Sequence, residues 1–269
     1  MVSMGLLAPG AIPLTASKGK GINETWRGRV HLLDGSTVLA YIKLLDHKQL
    51  TNELLGAELA RAVGFQVPEI YLVRVDRSHH AEIFHKLGIT EEQVVAFGCR
   101  DVGRDSLARR YSDGGLAFLK WFVFSCKPWK RLVSFDAWVG NIDRHFGNAL
   151  IGGPDDIWLI DHGHCFTGPT WTEAQLLSSA PLTNRLINDL NPYLTDDLRN
   201  QLALEAADAQ KLFDVVHVEG VLQDSQVGPF LSITERLALS SFVEQRKERV
   251  LELVNAALGR PMLPFVGSV

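Results

Sequence analysis

Cysteine is scarce in this chain: three residues among 269, Cys99, Cys126 and Cys165, an odd number without short paired spacing. Neither a disulfide framework nor a four-ligand zinc site is expected, and the thiols read as reduced and mostly buried. No apolar run approaches the roughly 20 residues that a membrane span requires. The mild apolar stretch Leu6 to Leu14 is followed, not preceded, by Lys18 and Lys20, so it lacks the form of a leader. A soluble cytoplasmic protein is the expectation. Positive charge is not in surplus either: 27 basic against 31 acidic residues give a net charge of −4. That balance excludes an overall field that would gather nucleic acid or acidic lipid, so neither is expected as a direct partner. Repeats and low-complexity tracts are absent. What is abundant is apolar material, 46% of residues, enough for the core of one bilobed domain.

The first hundred residues alternate strands and turns. Gly28 to Leu33 reads as a strand, Asp34-Gly35 as a hairpin turn and Thr37 to Leu45 as the partner strand. Leu50, Leu54, Ala57, Leu59, Ala60 and Val63 then recur at helical spacing, with Gly64 as a left-handed stop. Ile70 to Val75 and Val94 to Phe97 are extended, and Gly98 to Asp105 is a polar connector. The expected class is α+β: a small β-rich lobe with one helix over residues 1–100, and a larger, mostly helical lobe over 101–269. In the second lobe, helices are expected at Leu116 to Ser125 and Leu132 to Val139. A long C-terminal helix opens on the capping box Ser232-Ile-Thr-Glu235 and closes at Gly259 and Pro261. Between these helices one hairpin is expected, Ala149 to Ile151 against Ile157 to Ile160.

The chemistry gathers around that hairpin. Asp143 and Asn148 precede it in Gly140-Asn-Ile-Asp-Arg-His-Phe-Gly-Asn148, and Asp161 follows it. Phosphoryl transfer needs a carboxylate to orient the attacking hydroxyl and hard oxygen ligands to hold magnesium on the nucleotide phosphates. The Asp-x-x-x-x-Asn spacing is that of a kinase catalytic loop, and Asp161 stands where such an enzyme places its magnesium-binding Asp. A metal site of Asp161, His162, His164 and Cys165 is a competing reading, less economical than a packed loop. Upstream, Lys43 lies in the apolar strand Val38-Leu-Ala-Tyr-Ile-Lys43, the form of a phosphate-pairing lysine or of a strand-edge lysine in solvent. Its carboxylate partner is Glu53 or Glu58, not both, because five residues turn a helix by roughly 500°. Lys18, Gly19, Lys20 and Gly21 form a loop suited to covering phosphate, or a solvated segment. Arg109-Arg110 and Lys127-Pro-Trp-Lys130-Arg131, basic residues beside an aromatic, have the make-up of an RNA contact but read more economically as solvated faces.

Two segments carry a resemblance. Asn52-Glu53, Glu58-Leu-Ala60, Gly64 and Val67-Pro68 form one, and Gly140 to Asn148 with Asp161 form the other. Together they resemble the HipA-like serine/threonine kinase family, a bacterial branch of the protein-kinase-like fold that is also similar to the phosphatidylinositol 3/4-kinases. The likeness spans roughly residues 15 to 170. It implies ATP and Mg2+ as cofactors, Asp143 as catalytic base, His145 as a brace of its loop, and Asn148 and Asp161 as magnesium ligands. It implies Lys43 on the α and β phosphates with Glu53 as its partner, and adenine against Phe97, Gly98, Cys99 and Arg100. It further implies a protein acceptor, such as an aminoacyl-tRNA synthetase or other translation factor, a small DNA-binding antitoxin partner, and autophosphorylation at Thr15 or Ser17.

Asp161 is followed by His-Gly where HipA relatives often have Tyr-Asp, and the chain is shorter than typical members; both bear on substrate choice more than on activity. The expected function is transfer of the γ-phosphoryl group of ATP to a Ser or Thr hydroxyl of a protein. The alternatives are a kinase for a lipid head group or small molecule, and a nucleotide-binding pseudokinase that regulates a partner.

Overall fold

The computed structural model describes residues 2–13, 24–178, 180 and 182–260. In the N-terminal lobe, β1 (Ser3–Leu7), β2 (Ile12–Pro13), β3 (Thr25–Leu32), β4 (Thr37–Lys43), β5 (Ile70–Asp76) and β6 (Gln93–Arg100) form one sheet in the order β1-β5-β6-β4-β3-β2. β1 also pairs antiparallel with β3, so five strands close into a small barrel with β2 attached outside β3. Closure removes the open edges that a small sheet would leave. It needs tight interior positions. A Cβ at Gly5, Gly28 or Gly98 would stand 2.4 Å from Val30, 2.9 Å from Leu7 and 2.6 Å from Val73 respectively. Trp26, Val30, Ala40, Ile42, Tyr71, Val73 and Ala96 fill the interior.

The strand period decides where function lies. On β4, Ala40 and Ile42 are buried, so Lys43 projects to the opposite face, out of the barrel and toward the second lobe. Helix α1 (His47–Ala62) follows, N-capped by Asp46, whose carboxylate accepts from Gln49 N at 2.8 Å. Every residue from Gln49 to Ala60 is buried, because α1 lies between the barrel and the second lobe.

The lobe holds a second helix, α2 (Arg77–Leu87), which corrects the expectation of one. Only His80, Ile83 and Phe84 are buried on it, too short an apolar stripe to stand out from a polar sequence. β6 runs on to Arg100, which moves the connector to residues 101–104.

β7 (Asp105–Ser106) then pairs with β8 (Ala149–Gly153), which pairs with β9 (Asp156–Leu159), adding a third strand to the expected hairpin. Helix α3 (Leu107–Ser125) begins nine residues before the expected Leu116, capped by Ser106 and kinked at Gly115. Helix α4 (Pro128–Val139) is the spine of the lobe. Trp129, Leu132, Val133, Phe135, Trp138 and Val139 are all buried, and the Trp138 ring stacks on Phe213 with centroids 4.6 Å apart. Against it pack α7 (Asp196–Asp214), α9 (Ile233–Lys247) and α10 (Val250–Ala257); α5 (Glu173–Leu176) and α8 (Val218–Asp224) pack on α9, α8 also on α1, and α6 (Arg185–Leu190) precedes α7.

The capping box of Ser232 and Glu235 opens α9, but the single long helix expected there is two. Arg246 and Lys247 turn inward to the carbonyls of Ala137, Trp138 and Val216, and the helix restarts at Val250. No Gly or Pro marks that break, and the apolar period runs through it. Gly259 follows α10; Pro261 lies outside the described residues. Among the described residues no helix is long and apolar enough to cross a membrane.

Candidate active site

Lys43 Nζ stands 2.8 Å from Glu53 Oε1 and 3.1 Å from Asp161 Oδ1. Burial alone would lower the ammonium's pKa, but the two carboxylates outweigh it and hold the lysine charged. Burial pushes the Glu53 carboxyl up while Lys43 pulls it back. At Asp161 burial also acts upward, yet the Lys43 charge prevails and brings the carboxyl down to about 2. Glu58, the other sequence candidate, pairs with Arg61 at 2.6 Å. Glu53 therefore occupies the place that the spacing left open.

Glu53 does more than pair with Lys43. Its Oε2 accepts the His162 backbone N–H at 2.7 Å, tying α1 to the segment after Asp161. Its neighbour Asn52 continues the tie. Asn52 Nδ2 lies 2.9 to 3.0 Å from the carbonyls of Gly163, Cys165 and Gly168, sharing two amide hydrogens among three acceptors, and Oδ1 accepts from Trp171 Nε1 at 2.8 Å. The segment needs this support. Asp161, Phe166 and Thr167 all hold left-handed φ values, 57°, 56° and 76°, which cost non-glycine residues of order 1–3 kcal/mol each. Gly56 lets α1 come close enough: a Cβ there would stand 2.7 Å from His162 Cβ.

Helix α4 ends on Gly140 at φ 61°, which turns the chain into the loop of Asp143. Asn141 Oδ1 accepts from Asp143 N at 3.0 Å, and Asn148 Nδ2 donates to Asp143 O at 3.2 Å. That donation orients the Asn148 amide, which is buried and lines neither of the cavities described below. His145 Nδ1 accepts from Gly147 N at 2.9 Å, and burial lowers its pKa, with Arg185 adding to the effect, so the ring is neutral at pH 7.

Two residues with no role assigned from sequence complete the loop. Arg144 is buried against Asp136, its Nε 3.1 Å from Oδ1, and its Nη1 donates to the carbonyls of Asn148 and Ile160 at 3.0 and 2.6 Å. One guanidinium thus fixes the Asp143 loop relative to the Asp161 strand. Burial pushes the Asp136 carboxyl up to about 6 against the pull of Arg144. Arg185, at the start of α6, donates from Nη1 to Asp143 Oδ1. It lies 42 residues from its partner, a pairing that no local pattern signals.

A cleft of about 490 Å3 opens between the lobes, with Lys43 and Asp161 at its back and Phe97, Cys99, Val102, Leu150 and Ile160 among its walls. Arg100 lies at the same cleft. Gly98 does not line it; its open side faces Val73 and Tyr71 in the barrel, so closure of the barrel is its reason. The Cys99 thiol is pushed up to about 12 by burial and is not a nucleophile at neutral pH. A second cavity of about 400 Å3 lies on the Asp143 side, lined by Tyr111, His145, Phe146, Arg185, Asp189 and Tyr193 among others, and Gly147 borders both. Thr15, Ser17, Lys18, Gly19, Lys20 and Gly21 lie outside the described residues.

Among the described residues no group of three or more His, Cys, Asp or Glu is arranged to hold a metal, and His162, buried against Phe135, does not join Asp161, His164 and Cys165 in one. The donors that remain, Asp161 and Asn148, are hard oxygens. Lys43, Glu53 and Asp161 together leave one negative charge uncompensated. That combination suits magnesium, which binds through one or two protein oxygens with phosphates and water completing its shell.

No family model matches the chain, and no curated protein matches it. The HipA-like membership expected from the motifs thus has no family model behind it. Among solved structures the chain is similar to the Helicobacter pylori proinflammatory kinase CtkA, at 13% identity and a TM-score of 0.48, over 93% of this chain and 97% of that one. A likeness at that score and identity assigns neither family nor activity.

Proposed function

We propose that this protein is a kinase that transfers the γ-phosphoryl group of ATP to a Ser or Thr hydroxyl of a protein. The observation that carries the reading is the convergence of Lys43, Glu53 and Asp161 at the back of one interlobe cleft, with Asp143 and Asn148 on a single loop beside it. In this reading the apolar walls at Val102, Leu150 and Ile160 take the base, and Lys43, held in place by Glu53, takes α- and β-phosphate oxygens. Asp161 and Asn148 would hold magnesium, which supplies charge neutralisation on the phosphates when bound. Asp143 aligns the acceptor hydroxyl and receives its proton as the new oxygen–phosphorus bond forms. The Asp143-side cavity, shallow and open to solvent, suits a side chain presented by a protein surface.

The test is incubation of the purified protein with γ-labelled ATP and magnesium, with and without bacterial lysate, beside Asp143→Asn and Asp161→Asn. Label on this protein or on a discrete lysate protein, lost in both variants, is the expected result. Asp143→Asn should keep nucleotide binding, whereas Asp161→Asn should weaken its metal-dependent part. Turnover retained in Asp143→Asn would overturn the assignment. A translation factor as acceptor and a small DNA-binding partner belong to the same proposal; the lysate arm tests the first, and co-purification with the tagged protein tests the second.

A further inference from the structure

The guanidinium of Arg185 sits on the carboxylate that the reading above assigns to the acceptor hydroxyl. Nη1 donates to Asp143 Oδ1, and Nε stands 3.7 Å from Asp189 Oδ2, one turn further along α6. The side chain is 39% exposed and borders the second cavity, so open space lies beside it. The other cations near the cleft are committed elsewhere: Lys43 to Glu53 and Asp161, Arg100 to Glu69, Arg104 to Asp156, Arg109 to Asp105, Arg144 to Asp136. His145 beside it is neutral. Among the described residues, the positive charge next to Asp143 therefore comes from Arg185.

The bond from Arg185 occupies one carboxylate oxygen of Asp143 and holds a guanidinium where the acceptor hydroxyl would sit. Something must draw the guanidinium away when the hydroxyl arrives. The group that arrives with it is a phosphoryl whose charge is spread over three oxygens, and a planar fork of N–H donors matches those oxygens better than any other side chain. Asp189 keeps the guanidinium tethered at Nε while its Nη atoms turn.

We propose that Arg185 is a catalytic residue of this site: on nucleotide binding it turns from Asp143 to the γ-phosphoryl oxygens, carrying their charge during transfer and freeing Asp143. The inference rests on the phosphotransfer reading. In the step, the acceptor oxygen bonds to the γ-phosphorus, the bond to the β,γ-bridging oxygen breaks, and its electron pair leaves on ADP. The hydroxyl proton passes to Asp143. Arg185 exchanges no proton and makes no covalent bond.

The test compares wild type, Arg185→Ala and Arg185→Lys in two measurements, with melting curves to verify folding. One is affinity for Mg-ADP with and without aluminium fluoride, a mimic of the phosphoryl in transfer; the other is turnover with labelled ATP. Wild type should bind the aluminium fluoride complex at least about 100-fold tighter than ADP alone. Arg185→Ala should lose that gain while its ADP affinity stays within about threefold, and its turnover should fall about a thousandfold at a nearly unchanged KM for ATP. Added guanidinium should restore part of the turnover of Arg185→Ala and none in wild type. Arg185→Ala that keeps the aluminium fluoride gain, or that loses both affinities together and resists guanidinium, overturns the role of Arg185. Wild type with neither transfer nor the gain overturns the kinase reading, and this inference with it.

Discussion

Asn52 and Glu53, adjacent on α1, hold one loop from two sides: Glu53 takes the N–H of His162 at its start, and Asn52 takes three carbonyls from Gly163 to Gly168. Side chains one residue apart on a helix point about 100° apart, so the pair grips a loop that wraps the helix.

Asn52→Asp keeps the shape of Asn52 and removes both donors, leaving a buried carboxyl against three carbonyls. A loss of about 3 kcal/mol is expected, from unsatisfied buried groups and the forced protonation of the new acid. Urea unfolding at pH 7 measures it. Stability within 1 kcal/mol of wild type would mean that this loop is held by other means.

Lys43→Met leaves Glu53 and Asp161 facing each other without their cation. Breaking a buried pair in this way costs about 3–5 kcal/mol at pH 7. Without Lys43, the Glu53 carboxyl, already raised by burial, rises further. A group with a raised folded pKa contributes stability at low pH that is lost as pH climbs through that value. The deficit of the variant should therefore shrink between pH 7 and pH 5, as parallel urea titrations of both proteins would show.

His145 and His162 are both held neutral, their pKa values lowered chiefly by burial. As pH falls below about 6.5 the unfolded chain takes up protons at these sites more readily than the folded chain, and stability drops, by at most about 1.4 kcal/mol per pH unit for each. Asp136, raised to about 6, runs in the opposite sense below that pH. The comparison that isolates one site is His162→Phe, which should lower the slope of stability against pH by roughly half to three-quarters of a proton between pH 6.5 and 6. The His162 Nε2 is buried without a partner, so the variant should also be no less stable at pH 7.

Gly56→Ala would gain about 1 kcal/mol of helix propensity on an exposed helix. Here the new methyl meets His162 Cβ at 2.7 Å, and a net loss of about 2 kcal/mol is expected, with weaker nucleotide binding as Glu53 is displaced. Thermal melts with and without ATP read both effects.

The parts legible in the sequence are those with local signatures. The β3–β4 hairpin has its Asp34-Gly35 turn, α1 has its period and its Gly64 stop, and the Asp143 loop has its spacing to Asn148. Closure of the barrel has no local signature because it depends on β1 meeting β3 across more than twenty residues, with Gly5, Gly28 and Gly98 as its trace in the sequence. Gly98 has a packing reason that the sequence does not display: a Cβ there would meet Val73 and Tyr71. Arg144 stood inside the quoted motif, yet its partner Asp136 lies on the preceding helix, a contact fixed only by the turn at Gly140.

The burial of α1 bears on how the cleft exchanges its contents. A hinge at residues 101–104 would have to strip α1 from the loop after Asp161, breaking the bonds of Asn52 and Glu53 at once, and from α8 on its other side. The Gln226 bond to the Val2 carbonyl, from the far end of the chain, resists the same motion. The two lobes thus share a strut, and mechanically the protein is a slotted block rather than a jaw: a ligand of the cleft would pass through the mouth of the slot while the back, where Lys43 sits, stays shut.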